Sequence, residues 1–179
     1  MEGVNMQNYY SESFPSPLGE MTAVSDGIHL TALTFCGQKY YEKEVPSDAV
    51  SGHLPVFDEV KEWLTIYFEG HKPDFMPSVK LSGSEFQQDV WEILRRIPYG
   101  KTVTYGDIAK EIAAKRGIRT MSAQAVGGAV GHNPVAILVP CHRVVGKNGN
   151  LTGYAGGIER KMKLLECEGI PCYFTKSDQ

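Results

Sequence analysis

A cysteine and a histidine stand side by side in VPCHRVVG, residues 139–146, directly after an apolar run and a proline. A neighbouring imidazole can convert a thiol into a thiolate, and thiolates attack both carbonyl carbons and alkyl carbons. Cysteine is also among the residue types most often buried, so the pair could equally be a core thiol beside a histidine. The potential cations His142 and Arg143 and the glycine-rich segment that follows favour a reactive Cys141 with a lowered pKa. The pair alone does not choose between acyl and alkyl chemistry.

Other signals of chemistry in the chain are weaker. Cys167 and Cys172 are separated by four residues without clustered histidines, so no metal site is predicted. The glycines that follow residue 145 lack Walker or dinucleotide-binding spacing, so no nucleotide cofactor is predicted. Glu168 ends a predicted helix, where the helix dipole disfavours a negative charge, and this small cost suggests another use for the residue.

Two predicted helices before the cysteine have the pattern of a helix-turn-helix. TYGDIAKEIAAKRG begins with Thr104 as its N-cap, and SAQAVGGAV follows after a short basic turn. Any two helices joined by a turn resemble this motif, so the pattern is weak evidence by itself. Gly127 and Gly128 inside the second helix each cost about 1 kcal/mol relative to alanine. Either they allow close helix packing, or the helix backbone approaches another surface such as a nucleic-acid groove.

The remaining pattern predicts an α/β (α+β) chain of two domains, over residues 1–78 and 79–179. Two segments around the turn Asp26-Gly27 predict a β-hairpin, and LPVFDEVKEWLTIYFEG predicts an amphipathic helix. A linker with prolines and a glycine is predicted near residues 71–83. The second part is predicted to be mainly helical. Its first helix is SEFQQDVWEILRRI, with Ser84 and Gln87 in capping-box positions, and its last helix is IERKMKLLECEG. VAILV is predicted to be a short buried strand or extended segment.

Charge is distributed unevenly along the 179 residues, although the net charge is only −3. Residues 1–79 contain 4 Lys/Arg against 12 Asp/Glu, whereas residues 80–179 contain 14 against 9. Seven of these basic residues lie within residues 95–120, where they form either a solvated helix face or the contact for a polyanion. The difference between the two halves favours a polyanion as partner of the second half.

Composition places the chain among ordinary globular proteins, with 42% hydrophobic and 22% charged residues. No apolar run is long enough to span a membrane, so no membrane association is predicted. The N-terminus has no pattern of a secretory signal, and the four cysteines have no paired-ligand spacing. A cytoplasmic location with reduced thiols is therefore expected.

Taken together, the motifs resemble those of one family. PCHRVVG, followed by GNLTGYAGG and KLLECEG and preceded by IPYGKTVTYGDIA and AVGGAVGHNP, resembles the 6-O-alkylguanine-DNA alkyltransferases (methylated-DNA–protein-cysteine methyltransferases). The similarity is dense from about Gly83 to Gly169. The first part, with SPLG before the hairpin, is compatible with the family's N-terminal ribonuclease-H-like domain.

The resemblance implies repair of DNA by direct reversal. A damaged base, 6-O-alkylguanine or 4-O-alkylthymine, would be flipped out of double-stranded DNA, and its alkyl group would pass irreversibly to the protein's own cysteine. No cofactor and no metal are implied, because the DNA itself supplies the alkyl group. The implied partner is DNA bound through its minor groove, and the protein is expected to be a monomer.

The resemblance also implies roles for individual residues. Cys141 would accept the alkyl group, His142 would deprotonate it through a water, and Glu168 would orient His142 and balance its charge. Tyr105 would donate a proton toward the leaving guanine, and Asn133 would brace the helix-turn-helix against the active-site strand. The remaining implied residues are Val144, Tyr154, Ala155, Gly156 and Lys161 around the base, and Arg119, Ala123, Gln124, Ala125, Gly127 and Arg143 on the DNA.

Two positions depart from the family's pattern. Gln124 stands where the family usually has an arginine that fills the stack vacated by the flipped nucleotide, and glutamine lacks the charge and stacking area of a guanidinium. Ala155 replaces a frequent serine, but the backbone N–H of the pocket is retained.

Two functions of other classes are alternatives. A cysteine hydrolase using Cys141 and His142 would turn over on esters or amides. A helix-turn-helix protein that only binds lesions would transfer nothing. Counting the methyl groups transferred per protein molecule separates these functions from stoichiometric repair.

Overall fold

The structure is a computed structural model that describes residues 8–172. The strands in this range are β1 (Tyr10–Phe14), β2 (Met21–Ser25), β3 (Leu30–Phe35), β4 (Val50–Ser51), β5 (Val103–Thr104) and β6 (Val144–Val145). The α-helices are α1 (Tyr41–Glu44), α2 (Pro55–Phe68), α3 (Glu85–Arg96), α4 (Tyr105–Arg116), α5 (Ala123–Gly131) and α6 (Ile158–Cys167). The predicted mixed α/β class is confirmed, with a small sheet in the first part and mostly helices in the second.

The first part is a four-stranded sheet with the order β3-β2-β1-β4. β2 is antiparallel to both of its neighbours, and β4 is parallel to β1. The predicted hairpin is confirmed, because Asp26 Oδ1 accepts hydrogen bonds from the backbone N–H groups of Ile28 and His29, and Gly27 has a φ of 106°. The predicted apolar face of α2 is also confirmed, since it is buried from Val56 to Tyr67.

Capping side chains fix the beginnings of the helices in the second part. Ser84 and Gln87 form the predicted capping box of α3, and Thr104 and Asp107 form an equivalent one at α4. Helices α4 and α5 follow each other as the predicted helix-turn-helix. Trp91 on α3 donates a buried hydrogen bond of 2.9 Å to a backbone carbonyl of α5, so α3 holds the second helix in place.

A second, two-stranded sheet connects the helix-turn-helix to the cysteine-histidine pair. β5 runs directly into α4, and β6 directly follows the short 3-10 helix Cys141–Arg143. The two strands are parallel, with Val103 opposite Val144 and Thr104 opposite Val145. The start of α4 is therefore fixed beside the residues that could do chemistry.

The segment VAILV, residues 135–139, is buried as predicted, but the prediction of a strand or extended segment is wrong. Only Val135 makes a bridge, to Leu33 of the first sheet, and the chain then turns. Ile137 has a φ of 68°, which is unfavourable for a β-branched residue. Short apolar runs have no periodicity that separates a strand from a buried turn.

The division at residue 78 stays a prediction. Val79 bridges to Leu30, and the backbone N–H of Lys80 donates to the Leu30 carbonyl, so residues 79 and 80 still follow the first sheet. Among the helices of residues 8–172, none is long and apolar enough to cross a membrane.

The N-cap of α4 offers a test of how strongly the helix-turn-helix is fixed. We expect Thr104→Ala to lower the free energy of unfolding by about 1 kcal/mol, because the backbone N–H of Asp107 loses its acceptor. Thr104→Ser keeps the hydroxyl, so its free energy of unfolding should lie within a few tenths of a kcal/mol of that of the unmodified protein. Urea unfolding with an unchanged m-value measures the difference. Equal losses in both variants would contradict a capping role.

Candidate functional site

Cys141 begins the short 3-10 helix Cys141–Arg143 and faces a pocket of about 330 Å³. This volume is at the lower end of the range of small-molecule pockets, roughly 300–1,000 Å³. Cys141 is only 8% exposed, and it is one of the residues that line the pocket. The pocket is lined by Gln38, Lys39, Tyr40, Tyr105, Gly127, Gly128, Val130, Gly131, Asn133, Ala136, Cys141, Gly153, Tyr154, Ala155 and Gly156.

A buried carboxylate lies behind the cysteine. Glu168 Oε2 is 2.5 Å from Nε2 of His142 and accepts a hydrogen bond of 2.7 Å from the hydroxyl of Tyr67. Its other oxygen accepts from the backbone N–H of Gly100 at 2.9 Å and from Nε of Arg143 at 2.8 Å. Burial alone would raise the pKa of Glu168, but the hydrogen bond from His142, the Gly100 N–H and the charge of Arg143 lower it to about 2. The carboxylate is therefore ionised at neutral pH.

His142 is fully buried, and its two ring nitrogens have different surroundings. Burial lowers the pKa of His142, and the opposing effect of Glu168 does not reverse this, so the ring is neutral in the resting site. Nε2 faces Glu168, which as an ionised carboxylate can only accept, so we assign the single ring proton to Nε2. Nδ1 has no hydrogen-bond partner within residues 8–172 and is left as a free basic atom.

The thiol of Cys141 is neutral at rest. Burial raises its pKa, and the Asn133 side chain, the charge of Lys161 and the backbone N–H groups of Cys141 and His142 only partly oppose this. The expected lowering of the pKa is therefore not found, because the same buried turn that shields the thiol also removes water from its thiolate. A base must take the proton when the nucleophile is used.

Asn133 and Lys161 hold the backbone around the pocket. The Asn133 amide donates to the carbonyls of Val135 and Val139, at 3.1 and 2.8 Å, and so fixes the turn that carries Cys141. Lys161 is fully buried, and its Nζ lies 3.2 and 3.3 Å from the carbonyls of Thr152 and Gly153. Burial lowers the pKa of Lys161 to about 8. The ammonium thereby fixes the loop that ends in the pocket wall.

Aromatic rings and a glycine shape the pocket interior. Tyr105 donates from its hydroxyl to the carbonyl of Thr152 at 2.9 Å. The ring of Tyr154 forms one wall, and its buried hydroxyl has no hydrogen-bond partner within the described residues. A Cβ atom added to Gly156 would lie 2.8 Å from this ring. Only glycine therefore allows Tyr154 to occupy its position.

The second helix of the helix-turn-helix presents a smooth, exposed surface beside the pocket. Ala123, Gln124 and Ala125 are exposed at its start. A Cβ atom on Gly128 would meet nothing within 4 Å, so close helix packing does not explain this glycine. An added Cβ on Gly127 would contact only the Tyr105 ring, at 3.8 Å. The small residues leave room for a ligand surface to approach the backbone.

Part of the basic segment 95–120 is a solvated helix face, whereas a polyanion contact stays a prediction. Arg96 pairs with Glu111, and Lys115 and Arg116 pair with Asp89, as expected of a solvated helix face. Arg119 lies in the exposed turn between α4 and α5, and none of the ion pairs found within residues 8–172 includes it.

Three predicted site residues lie elsewhere than expected. Lys161, predicted around the base, is fully buried and does not belong to the pocket lining. Arg143 was predicted to contact DNA, but it is 8% exposed, and its guanidinium donates to Glu168 and to the carbonyl of Ile97. Its charge is used to neutralise the buried carboxylate, so the predicted DNA contact is not retained. Val144 pairs in β6 with its side chain fully buried and is not part of the pocket lining.

Sequence reasoning missed Tyr67, Gly100 and the pocket residues 38–40. Tyr67 lies on the apolar face of α2 as predicted, but periodicity does not show that its hydroxyl reaches Glu168. Gly100 acts through its backbone, which leaves no signal in the side chain. The loop of residues 38–40 has no motif that places it beside a cysteine about one hundred residues later.

The pKa of Glu168 predicts how stability depends on pH. Unfolding should return this carboxyl from about 2 to its ordinary 4.5, so its stabilising contribution is present above about pH 5 and is lost as the pH falls toward 2. We expect Glu168→Gln to lower the free energy of unfolding by about 3 kcal/mol at pH 7, because Arg143 loses its buried partner. This gap between the variant and the unmodified protein should narrow as the pH is lowered.

Urea unfolding at pH 7, 5 and 3 measures the gap. Glu166→Gln, at an exposed position of the same helix, serves as the control and should stay within about 0.5 kcal/mol of the unmodified protein. A gap that is constant over this range would contradict the ionised state of Glu168.

Comparison with known proteins agrees with this architecture. A family model described as 6-O-methylguanine DNA methyltransferase, DNA binding domain, matches residues 85–170. A second, described as 6-O-methylguanine DNA methyltransferase, ribonuclease-like domain, matches residues 9–81. The two matches together span nearly all of the described residues.

The matches to individual relatives cover most of the length of both chains. The methylated-DNA–protein-cysteine methyltransferase of Haemophilus influenzae is 40% identical over 175 residues, which are 97% of this chain and 93% of that protein. The Mycobacterium bovis protein of the same name is 44% identical over 153 residues, 86% of this chain and 88% of its own. The crystal structure of Mycobacterium tuberculosis OGT in complex with DNA superimposes with a TM-score of 0.78 at 41% identity, covering 90% of this chain and 95% of that one. The fold, the pocket and these similarities lead to one conclusion: the chain belongs to the 6-O-methylguanine DNA methyltransferase family.

Proposed function

We propose that this protein repairs alkylated DNA by direct reversal, moving the alkyl group of 6-O-alkylguanine, and of 4-O-alkylthymine, to Sγ of Cys141. The observation that carries the proposal is a buried cysteine that lines a base-sized pocket and is followed directly by a neutral, carboxylate-bound histidine with a free Nδ1. A soft thiolate suits in-line attack on an alkyl carbon. No cofactor takes part in the proposed reaction.

The buried groups divide the work of deprotonation. His142 Nδ1 accepts the thiol proton through a water, and the resulting imidazolium is stabilised by the ionised Glu168 at 2.5 Å. The thiolate then forms a bond to the alkyl carbon as the bond from that carbon to the base oxygen breaks. The electron pair of the broken bond stays on the oxygen, which becomes the carbonyl oxygen of the repaired guanine.

Tyr105 is the proposed proton donor toward the leaving guanine. In the resting site its hydroxyl donates to the Thr152 carbonyl at 2.9 Å, so it must turn from this acceptor to the base. Burial raises the pKa of Tyr105, so its hydroxyl is protonated at rest. The proton that His142 took from Cys141 then replaces, through water, the proton that Tyr105 gives to the guanine, so the reaction neither gains nor loses a proton.

The thioether that forms has no carbonyl for water to attack, so the alkyl group stays on Cys141. One protein molecule repairs one lesion. A cysteine hydrolase would release its product repeatedly. A protein that only binds lesions would need no buried histidine next to the cysteine to accept its proton. Membership of the family favours neither alternative.

The helix-turn-helix is the proposed DNA contact, with α5 against the minor groove. Its exposed alanines and glycines bring the backbone close to the groove, and Arg119 in the preceding turn is available to a phosphate. Gln124, exposed at the start of α5, is proposed to fill the space left by the flipped nucleotide.

The remaining proposals concern the whole protein. We propose that it acts as a monomer, that its two domains meet near residue 78, and that it works in the cytoplasm. The last proposal is supported by Cys36, Cys141, Cys167 and Cys172, which are all free thiols in the described part of the chain.

The first test counts methyl groups. Incubation with a duplex that contains one labelled 6-O-methylguanine should give one methyl group per protein molecule, located on Cys141 by peptide mass spectrometry. Cys141→Ala should still bind the duplex but transfer nothing, whereas Cys172→Ala should transfer normally. Label on another cysteine, or methyl groups released over several turnovers, would overturn the proposal.

A second test concerns Gln124. Gln124→Arg should raise the single-turnover rate on duplex DNA more than on a single-stranded oligonucleotide, since only the duplex has a vacated stack for the planar guanidinium to fill. Gln124→Lys adds the same charge without a planar group and should help both substrates alike. Equal gains on both substrates with arginine would show that Gln124 does not occupy the intercalating position.

A further inference from the structure

The loop between β3 and α1, residues 36–40, reaches the pocket of Cys141 from the first part of the chain. Gln38, Lys39 and Tyr40 contribute to the same lining as α5 and the segment 153–156. A base bound in this pocket therefore has residues of the N-terminal part on one side. The roles proposed above for the helix-turn-helix do not account for this loop, which we call the β3–α1 loop.

The β3–α1 loop is fixed in place rather than free. The Tyr40 ring packs against the ring of His132, with 4.2 Å between their centroids, and His132 directly follows α5. Tyr40 also has a φ of 69°, a left-handed conformation that is unfavourable for a non-glycine residue and persists only where contacts enforce it. Gln38 accepts a hydrogen bond from the backbone N–H of Phe35 at 3.1 Å. The loop is thus attached to the end of the helix that is proposed to contact DNA.

The β3–α1 loop and the residues next to it are basic, although the first half of the chain is acidic. Residues 1–79 have only four cations against twelve acids, and two of the four, Lys39 and Lys43, lie in or next to this loop. Lys39 is exposed, and its Nζ lies 5.0 Å from the centre of the Tyr40 ring. It makes no ion pair within residues 8–172, whereas Lys61 is paired with Glu12. The acids of α1 do not line the pocket.

A flipped base enters the pocket, but its sugar and phosphates stay at the mouth, where Lys39 is exposed. We propose that Lys39 neutralises a phosphate next to the flipped nucleotide, which makes the β3–α1 loop a second DNA contact beside the helix-turn-helix. This inference rests on the proposed function, because it requires a flipped nucleotide in this pocket. The contact between Tyr40 and His132 sets the distance between the cation and α5.

Salt dependence tests the contact directly. Affinity of the full chain for a duplex with one 6-O-methylguanine is measured between 50 and 200 mM salt. Neutralising one phosphate contributes a slope of about 0.9 in log affinity against log salt. Lys39→Gln should lose this contribution, so the weakening across the salt range becomes smaller by a factor of about 3.5. Lys72→Gln, which removes an exposed lysine of the same half away from the pocket, should keep the full slope.

Two further substrates locate the contact. When the phosphates that flank the lesion are replaced by uncharged methylphosphonates, Lys39→Gln and the unmodified protein should have the same slope, because the pair is then already broken. Alkyl transfer from the free base 6-O-methylguanine, which has no phosphate, should change by the same factor between 50 and 200 mM salt in both proteins, whatever rate each protein has.

The outcomes separate this inference from the proposed function. An unchanged slope in Lys39→Gln, an equal loss in Lys72→Gln, or a difference that persists on the methylphosphonate duplex would each overturn the phosphate contact, even with normal transfer to Cys141. Failure of the unmodified protein to transfer the alkyl group would instead overturn the proposed function, and with it the flipped nucleotide on which the contact rests.

Discussion

The site depends on one buried carboxylate. Glu168 ends α6, yet it receives donors from α2, from the turn after α3 and from the 3-10 helix that contains Cys141. A buried charge is tolerated only when its lone pairs are satisfied, and removing one partner of such a pair costs about 3–5 kcal/mol. Four separate segments are therefore held in one arrangement by the same requirement, and His142 gains both its orientation and its proton assignment from it.

The pocket in front of Cys141 exists because several residues around it have little or no side-chain volume. Gly156 leaves space for the Tyr154 ring, and Gly128 leaves the surface of α5 open. The buried charges of Glu168, Arg143 and Lys161 do not belong to the pocket lining, whose one charged residue within residues 8–172 is Lys39. A thiol that is neutral at rest inside such a pocket is protected from ordinary solvent until a ligand enters.

Much of this structure could be predicted from the sequence, because its signals are local. The capping boxes at Ser84 and Thr104 and the turn at Asp26-Gly27 are satisfied by residues within a few positions, and the structure has them as predicted. The proximity of His142 and Glu168 followed from the family resemblance rather than from any local pattern. The errors concern non-local contacts: the buried turn at Ile137 and the internal salt bridge of Arg143 depend on neighbours distant in the chain. The pairing of β5 with β6, which was not predicted, is non-local as well. An arginine beside a catalytic pair has the same sequence signal whether it faces DNA or the core.

Tyr67 has a consequence for the autonomy of the two parts of the chain. It belongs to the first part, since it lies on α2, but its hydroxyl satisfies the carboxylate on which the second part depends. Leu33 and Val135 add a backbone connection in the same direction. A fragment that begins after the linker would contain every residue proposed to take part in the reaction. It would lack Tyr67, however, and would expose the Glu168 carboxylate that the intact protein buries. The N-terminal part thus supplies a hydrogen-bond donor that the reactive centre requires, and the two parts are expected to gain and lose their structure together.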